Sequence, residues 1–88
     1  MDTAESDDLA DRVLASVLAA ARQAFRTDVD PTLDPIEAGF DSIAAMGMAG
    51  TLEQELGVEC AIEDVFDTTS LAELADLLVQ RIDAAGSR

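Results

Sequence analysis

The segment Gly39-Phe40-Asp41-Ser42-Ile43 predicts the start of a central helix, and the rest of the chain is arranged around it. Asp41 is a short acceptor of the kind that caps helix N-termini. Apolar residues then recur at the spacing of one helical face, namely Ala45, Met48, Ala49, Leu52 and Leu56. Gly57 has the position of a C′ glycine. The sequence therefore predicts a helix over residues 42–56.

Ser42 lies in the first turn of this predicted helix, where a hydroxyl group is exposed. Unpaired backbone N–H groups and the positive end of the helix dipole favour a phosphate at such a point. The chain contains neither His nor Lys, so no base of the usual kind stands ready to activate Ser42 as a nucleophile. An exposed serine whose surroundings favour a phosphodiester, but which has no base to make it a catalytic nucleophile, is typical of a site at which another group is covalently attached.

An excess of acidic residues dominates the composition. Nineteen acids against five cations give a formal net charge of −14. Such a surface repels nucleic acids and anionic membranes and attracts basic proteins, although solubility alone is a second interpretation. At 88 residues we expect one domain over 1–88, with flexible ends at 1–6 and 84–88. The initial Met1 favours a discrete protein over a module of a longer chain.

Cysteine usage and the absence of targeting signals predict a cytoplasmic protein. One Cys cannot form an internal disulfide, and the N-terminus lacks the positive region and apolar core of a secretory signal. The longest nearly apolar run, residues 13–21, is too short to span a bilayer. Cys60 alternates with Val58 and Ile62, which predicts a buried structural thiol. A redox or metal role lacks a second Cys or a His.

A first helix is predicted from a cap at residues 6–8 to about Arg26, followed by a long connection over 27–41. Its apolar stripe consists of Leu9, Val13, Val17, Ala21 and Phe25. Pro31 and Pro35 break any helix in the connection. We expect apolar anchors to pin it across the end of a bundle, with one helical turn near 35–38; the anchors are Val29, Leu33, Ile36 and Phe40.

Three acids in this connection, Asp28, Asp30 and Asp34, invite comparison with a calcium-binding loop. Counted from Asp28, an EF-hand loop needs an acid at its fifth position and a glycine at its sixth. The chain has Thr32 and Leu33 there. We therefore expect no specific metal site.

The last helix is predicted from the capping box S-x-x-E formed by Ser70 and Glu73. Its apolar stripe is Leu71, Leu74, Ala75, Leu78 and Ile82, and residues 84–88 are expected to form a tail. A very short helix is predicted over 62–66. The predicted fold is all-α: a small four-helix bundle with three main helices, one short helix and a long loop between the first two main helices.

The segment 39–43 resembles the prosthetic-group site of acyl carrier proteins, in which Gly, a hydrophobic residue, Asp, Ser and an aliphatic residue occur in that order. Further matches lie at the family's spacing, at Leu52-Glu53, Leu56-Gly57-Val58, Phe66, Ser70-Leu71 and Leu74-Ala75. The resemblance spans about residues 8–82. One departure is Thr69-Ser70, where the family usually has Pro-Thr.

The resemblance implies a carrier protein that is not an enzyme. A phosphopantetheinyl transferase, using coenzyme A and Mg²⁺, would attach 4′-phosphopantetheine to Ser42, and the thiol of this arm would hold acyl groups as thioesters. Asp41 and Ile43 flank the attachment point, and Met46 would give partners an apolar contact. The partners would be acyl-loading and chain-processing enzymes with basic docking surfaces, and the carrier is expected to be a monomer. The acids expected to steer them are Glu37, Glu63, Asp64 and Asp67.

Two glycines within the predicted central helix need an explanation, because each costs about 1 kcal/mol relative to Ala. Ala44, Gly47 and Gly50 are expected to point outward, and Gly47 would let a partner approach the backbone beside the arm. The alternatives are drift at an exposed face or tight packing of Gly50 against a neighbouring helix. Likewise, Ile43 and Met46 have an alternative interpretation as ordinary core residues.

The resemblance leaves the pathway open. Phe40, where peptidyl carriers often have a second Gly, favours an acyl carrier of polyketide, fatty-acid-like or related specialised biosynthesis. The alternative within the family is a peptidyl carrier of nonribosomal peptide synthesis. The alternative from another class is an acidic helical interaction module without a prosthetic group.

Overall fold

A computed structural model describes residues 2–86, with side chains over 8–85, and within this range it contains helices and no strand. The helices are α1 (Asp2–Phe25), α2 (Ser42–Leu56), α3 (Ile62–Asp67) and α4 (Leu71–Gly86). α1 packs against both α2 and α4, while α3 packs against α2 and α4. The predicted small all-α bundle is confirmed.

An aliphatic core lies between the helices and follows the predicted stripes. The buried members of these stripes are Val13, Val17, Ala21, Ala45, Met48, Ala49, Leu52, Leu71, Leu74, Ala75 and Leu78. The stripe residues at the helix ends, such as Leu9, Leu56 and Ile82, are half-buried. Because each fully buried aliphatic side chain contributes about 1.5–3 kcal/mol, these stripes supply most of the driving force for packing.

Two helix boundaries differ from the prediction. α1 begins at Asp2, before the predicted cap at 6–8, and α4 continues to Gly86 instead of ending in a tail from Ala84. Residues 2–8 contain no helix breaker, so nothing in the sequence stops the helix from beginning before the predicted cap. Residues 84–85 are Ala-Ala, which has high helix propensity. Residues 1, 87 and 88 of the predicted flexible ends lie outside the described residues.

The connection between α1 and α2 is pinned to the start of α4 by backbone hydrogen bonds. The N–H of Leu71 donates to Leu33 O at 3.0 Å, and the N–H of Ala72 donates to Pro31 O at 2.9 Å. The first N–H groups of a helix have no partner inside it, so the connection supplies acceptors that α4 lacks. This long segment is therefore held in the middle as well as at its ends.

The apolar anchors in the connection are confirmed except for one. Val29 and Leu33 are half-buried and Phe40 is buried. Ile36, in contrast, is 63% exposed, and the prediction that it anchors the connection is wrong. The neighbouring Pro35 is fully buried in its place, because the chain turns at this point and only one of the two side chains can point inward.

The acids of the connection act as acceptors for its own turns. Asp30 Oδ1 accepts from the N–H and the hydroxyl of Thr32 at 2.8 and 2.5 Å, and these bonds lower the pKa of Asp30. Asp34 Oδ1 accepts from the N–H of Ile36 at 2.9 Å. Asp34 O accepts from the N–H of Ala38 at 2.9 Å, which forms the predicted helical turn near 35–38.

Of the two hydrogen bonds expected for the capping box of α4, one is confirmed and the other has a different donor. The N–H of Glu73 donates to Ser70 Oγ at 3.1 Å, as the capping box requires. The Glu73 carboxylate accepts from the N–H of Thr69 at 2.5 Å instead of from that of Ser70. Because Glu73 still satisfies a backbone N–H before the helix, the helix start keeps its stabilisation without the proline that the family usually has.

Cys60 is buried, with 2% of its surface exposed, as predicted. The segment is held in place by Arg81 of α4, whose guanidinium donates to Asp64 Oδ2 at 2.6 Å and Oδ1 at 3.1 Å and to Glu59 O at 2.9 Å. Burial raises the pKa of the Cys60 thiol to about 11, and the nearby Asp64 carboxylate adds to the rise. The thiol is thus protonated and sheltered at neutral pH.

We expect Cys60 in the folded protein without its arm to react slowly with a bulky thiol reagent at pH 8. The raised pKa alone lowers the thiolate fraction about a hundredfold relative to an ordinary cysteine, and burial slows the reaction further. A Cys60→Ala, Gln80→Cys variant, which moves the thiol to an exposed position on α4, is the control. Equal reaction rates for the two proteins would contradict the burial of Cys60.

Candidate functional site

The start of α2 is fixed by a contact between two aromatic rings. Phe40 is buried, and its ring stacks on that of Phe25 with centroids 3.4 Å apart and an interplanar angle of 17°. Gly39, with φ of +79°, lets the backbone turn into this position. The contact holds the residues that begin α2 against the last turn of α1.

Asp41 caps α2 as predicted. Its backbone is extended, with φ −87° and ψ 163°, and its Oδ1 accepts from the N–H of Ala44 at 2.7 Å. Asp41 O accepts the first intrahelical bond, from the N–H of Ala45 at 2.9 Å. In the described part of the chain, the N–H groups of Ser42 and Ile43 donate to no protein acceptor. These two donors remain available to a ligand.

The surroundings of Ser42 fit a phosphate ester on its Oγ atom. Ser42 is exposed, it stands at the positive end of the α2 dipole, and α2 has no acidic residue in its first turn. Oδ1 of the neighbouring Asp41 carboxylate accepts a hydrogen bond from the N–H of Ala44. A phosphate at this point would therefore meet unpaired N–H donors.

Two large apolar side chains that follow Ser42 on α2 are exposed. Ile43 is 83% exposed and Met46 is 61% exposed, and we call these two residues the outer patch. Ile36, in the connection, is exposed as well. The interpretation of Ile43 and Met46 as core residues is excluded. Ile36 was missed because the sequence alone does not show which way a side chain next to Pro35 points.

A shallow cleft runs between α1 and α2 on the flank beside the outer patch. One end is lined by Ala24, Asp41, Ser42, Ile43 and Ala44, and the adjoining part by Ala20, Gln23, Ala24, Ala44, Gly47 and Thr51. Ala44 is half-buried in this cleft, so the prediction that it points outward is wrong. It differs from Gly47 and Gly50, which are exposed.

The two helical glycines have open space around them. No atom outside the local backbone lies within 4 Å of a Cβ placed at Gly47 or at Gly50. The alternative that Gly50 packs tightly against a neighbouring helix is therefore wrong. Gly47 lines the cleft, whereas Gly50, nearly one helical turn further along α2, is not among the residues that line it.

The predicted steering acids are not equivalent. Glu37, Glu63 and Asp67 are exposed. Asp64 has only 16% of its side chain exposed and forms the ion pair with Arg81, which lowers the pKa of Asp64. Because Arg81 neutralises its charge, the prediction of Asp64 as a free steering acid is wrong.

The comparisons with known proteins place the chain in a family. The family described as phosphopantetheine attachment site matches residues 12–78, which include Ser42. Searches of curated proteins and of solved structures found no significant match. Because the match covers most of the chain, the protein belongs to this family, in agreement with the resemblance to acyl carrier proteins.

Membership of this family establishes the general role. Domains of the family carry a 4′-phosphopantetheine prosthetic group, are modified by phosphopantetheinyl transferases, interact with partner enzymes and are not catalytic themselves. The chain is thus a phosphopantetheine-carrying carrier protein. Among the described residues, no helix combines the length and the apolarity needed to cross a membrane.

We expect Asp41→Ala to lower the free energy of unfolding by about 1 kcal/mol, because the N–H of Ala44 loses its acceptor. Asp41→Asn keeps a side-chain oxygen at this position and should have nearly wild-type stability. Urea denaturation of the three proteins measures the difference. A wild-type unfolding midpoint for Asp41→Ala would show that the cap does not stabilise α2.

Proposed function

We propose that Ser42 is the attachment point of the arm and that the chain carries acyl intermediates as thioesters. The observation that carries this proposal is the exposed Ser42 hydroxyl beside the unpaired N–H groups of Ser42 and Ile43, within the matched family segment. The arm ends in a thiol, and this thiol supplies the thioester chemistry. The carrier's own residues position the arm and present it to partners.

In attachment, Ser42 Oγ would attack the phosphorus next to the pantetheine in coenzyme A, which forms the phosphodiester, breaks the P–O–P bond of the pyrophosphate and releases adenosine 3′,5′-bisphosphate. We assign the base that removes the hydroxyl proton to the transferase, because the chain has no His and no Lys. A phosphate with its bound Mg²⁺ would lie against the start of α2, where Asp41 can help to place the metal. The unpaired N–H groups would then stabilise the anionic ester.

Other serines lack this combination of exposure and setting. Ser70 Oγ is engaged as the acceptor of the α4 cap. Ser16 is half-buried in a separate cavity at the other end of the bundle. Ser87 and the side chain of Ser6 lie outside the described residues.

Partner enzymes would dock on the outer patch, guided by charge. Ile43 and Met46 follow Ser42 on α2 and would offer apolar contact area, and the exposed Ile36 of the connection would add to it. Glu37, Glu63 and Asp67 are exposed and would attract a basic partner surface, whereas Asp64 is left out because Arg81 already neutralises it. The net charge of −14 favours basic partners in general. Gly47, which is exposed one helical turn after Ile43, stays a proposed position at which a partner can approach the backbone.

For the pathway, we favour an acyl carrier of polyketide or related specialised biosynthesis over a peptidyl carrier. The support is the resemblance at Phe40, where peptidyl carriers often have a second Gly. The stacking of Phe40 on Phe25 also gives this residue a role in packing. We further propose that the protein is a single cytoplasmic domain that works as a monomer.

Incubation with coenzyme A, Mg²⁺ and a broad-specificity transferase should add one phosphopantetheinyl group to the wild-type protein. Ser42→Ala should remain unmodified, because it lacks the acceptor oxygen, while Ser16→Ala should be loaded like the wild type. Intact-mass spectrometry gives the readout. A loaded Ser42→Ala protein would overturn the assignment of Ser42, and an unmodified wild type would favour the interaction-module alternative.

We expect Met46→Ser to reduce kcat/KM for loading by a transferase about tenfold, a loss of about 1.4 kcal/mol of interaction. The substitution removes an apolar contact of the outer patch and leaves the net charge unchanged. Gln80→Ser on α4 introduces the same side chain away from the patch and should have little effect. Circular dichroism checks that both variants fold, and equal kcat/KM for the two variants would refute docking at the patch.

A further inference from the structure

The cleft between α1 and α2 begins at the proposed attachment point and continues along both helices. It consists of two adjoining hollows that share Ala24 and Ala44, one at Ser42 and one that reaches Thr51. Small residues of both helices line them, which leaves this flank of the helix pair open. Gly47 lines the second hollow, with nothing within 4 Å of its Cβ position.

The lining of the cleft is mixed in polarity but nearly free of charge. Ala20, Ala24 and Ala44 offer methyl groups. The side chains of Gln23 and Thr51 also line it, and within the described residues neither makes a hydrogen bond. Asp41 is the one charged residue in the lining, and it lies at the Ser42 end of the cleft. The adjoining part is lined by uncharged residues only, on a chain with a net charge of −14.

We propose that the phosphopantetheine arm, once attached to Ser42, rests along this cleft across Gly47. This inference depends on the proposed attachment at Ser42. Beyond its phosphate, the arm is neutral and consists of methyl-bearing and methylene segments separated by two amides. Its apolar segments suit the alanine methyl groups, and its amides can exchange hydrogen bonds with the free side chains of Gln23 and Thr51.

The dimensions of the cleft suit this occupant. Ser42 and Thr51 are nine residues apart, or about 14 Å along the axis of α2. The arm has the backbone length of about four to five extended residues, or roughly 15 Å. Its covalent attachment gives it a high effective concentration at the cleft, so even weak contacts suffice to hold it there. Because the cleft is shallow, the arm can leave it when a partner enzyme binds at the outer patch.

The test compares two leucine substitutions at similar glycines. Gly47→Leu fills the cleft, whereas Gly50→Leu adds the same side chain at an exposed helical position that does not line it. Ala24→Leu narrows the cleft from the α1 side and serves as a second blocking variant. Each protein is loaded to completion with coenzyme A, and intact-mass spectrometry verifies one arm per chain before any other measurement.

Two readouts then report the position of the arm. In nuclear magnetic resonance spectra, loading should shift the signals of Thr51 and of the Gln23 side-chain amide in the wild type and in Gly50→Leu, but not in Gly47→Leu or Ala24→Leu. The arm thiol should react with a bulky thiol reagent at least threefold more slowly in the first two proteins than in the last two. The buried Cys60, measured in the unloaded proteins, gives the baseline.

The outcomes separate this inference from the proposed function. Loaded proteins that show no shift at Gln23 and Thr51, and equal thiol reactivity in all four, would overturn the resting position in the cleft while leaving Ser42 as the attachment point. Failure of the wild type to load would instead overturn the attachment itself, and the inference with it.

Discussion

The stacking of Phe40 on Phe25 is the contact on which the site depends. Phe25 is the last residue of α1, and Phe40 stands just before the cap of α2. Because this contact joins the two helix ends, Asp41 and Ser42 begin α2 beside Ala24, where the cleft opens. The helical propensity of α2 does not depend on the stacking, but the position of its first turn relative to α1 does.

The connection between α1 and α2 also helps to fix where α2 begins. Ordering a long segment without regular structure loses conformational entropy. Here hydrogen bonds within local turns and to the start of α4 offset that loss. Asp30 and Asp34 close turns through their carboxylates, while Pro31 and Leu33 offer carbonyl groups to the first N–H groups of α4. The start of α4 therefore supports the segment that leads to the attachment point.

The charges of the chain divide into those used for structure and those left for partners. Arg81 donates hydrogen bonds to Asp64 and to the backbone carbonyl of Glu59, and these bonds hold the segment around Cys60 in place. Acids such as Glu37 and Asp67 remain exposed. On this acidic surface, the part of the cleft that Gly47 and Thr51 line has no charged residue. A carrier built in this way can attract basic partners over a distance and still hold a neutral arm close to its own surface.

The sequence by itself determined the helices, the Asp41 cap, the αL glycine after α2 and the exposed Ser42, because these features depend on residues within one or two helical turns of one another. Gly57, with φ of +71°, is an example. Tertiary structure alone decided which of two adjacent residues, Pro35 or Ile36, points inward, and which distant cation pairs with Asp64. It also decided that the flank of α2 containing Gly47 faces α1 and forms a cleft. Periodicity shows that a helix has an apolar face, but not which neighbour packs against its edges, since that depends on contacts between residues far apart in the chain.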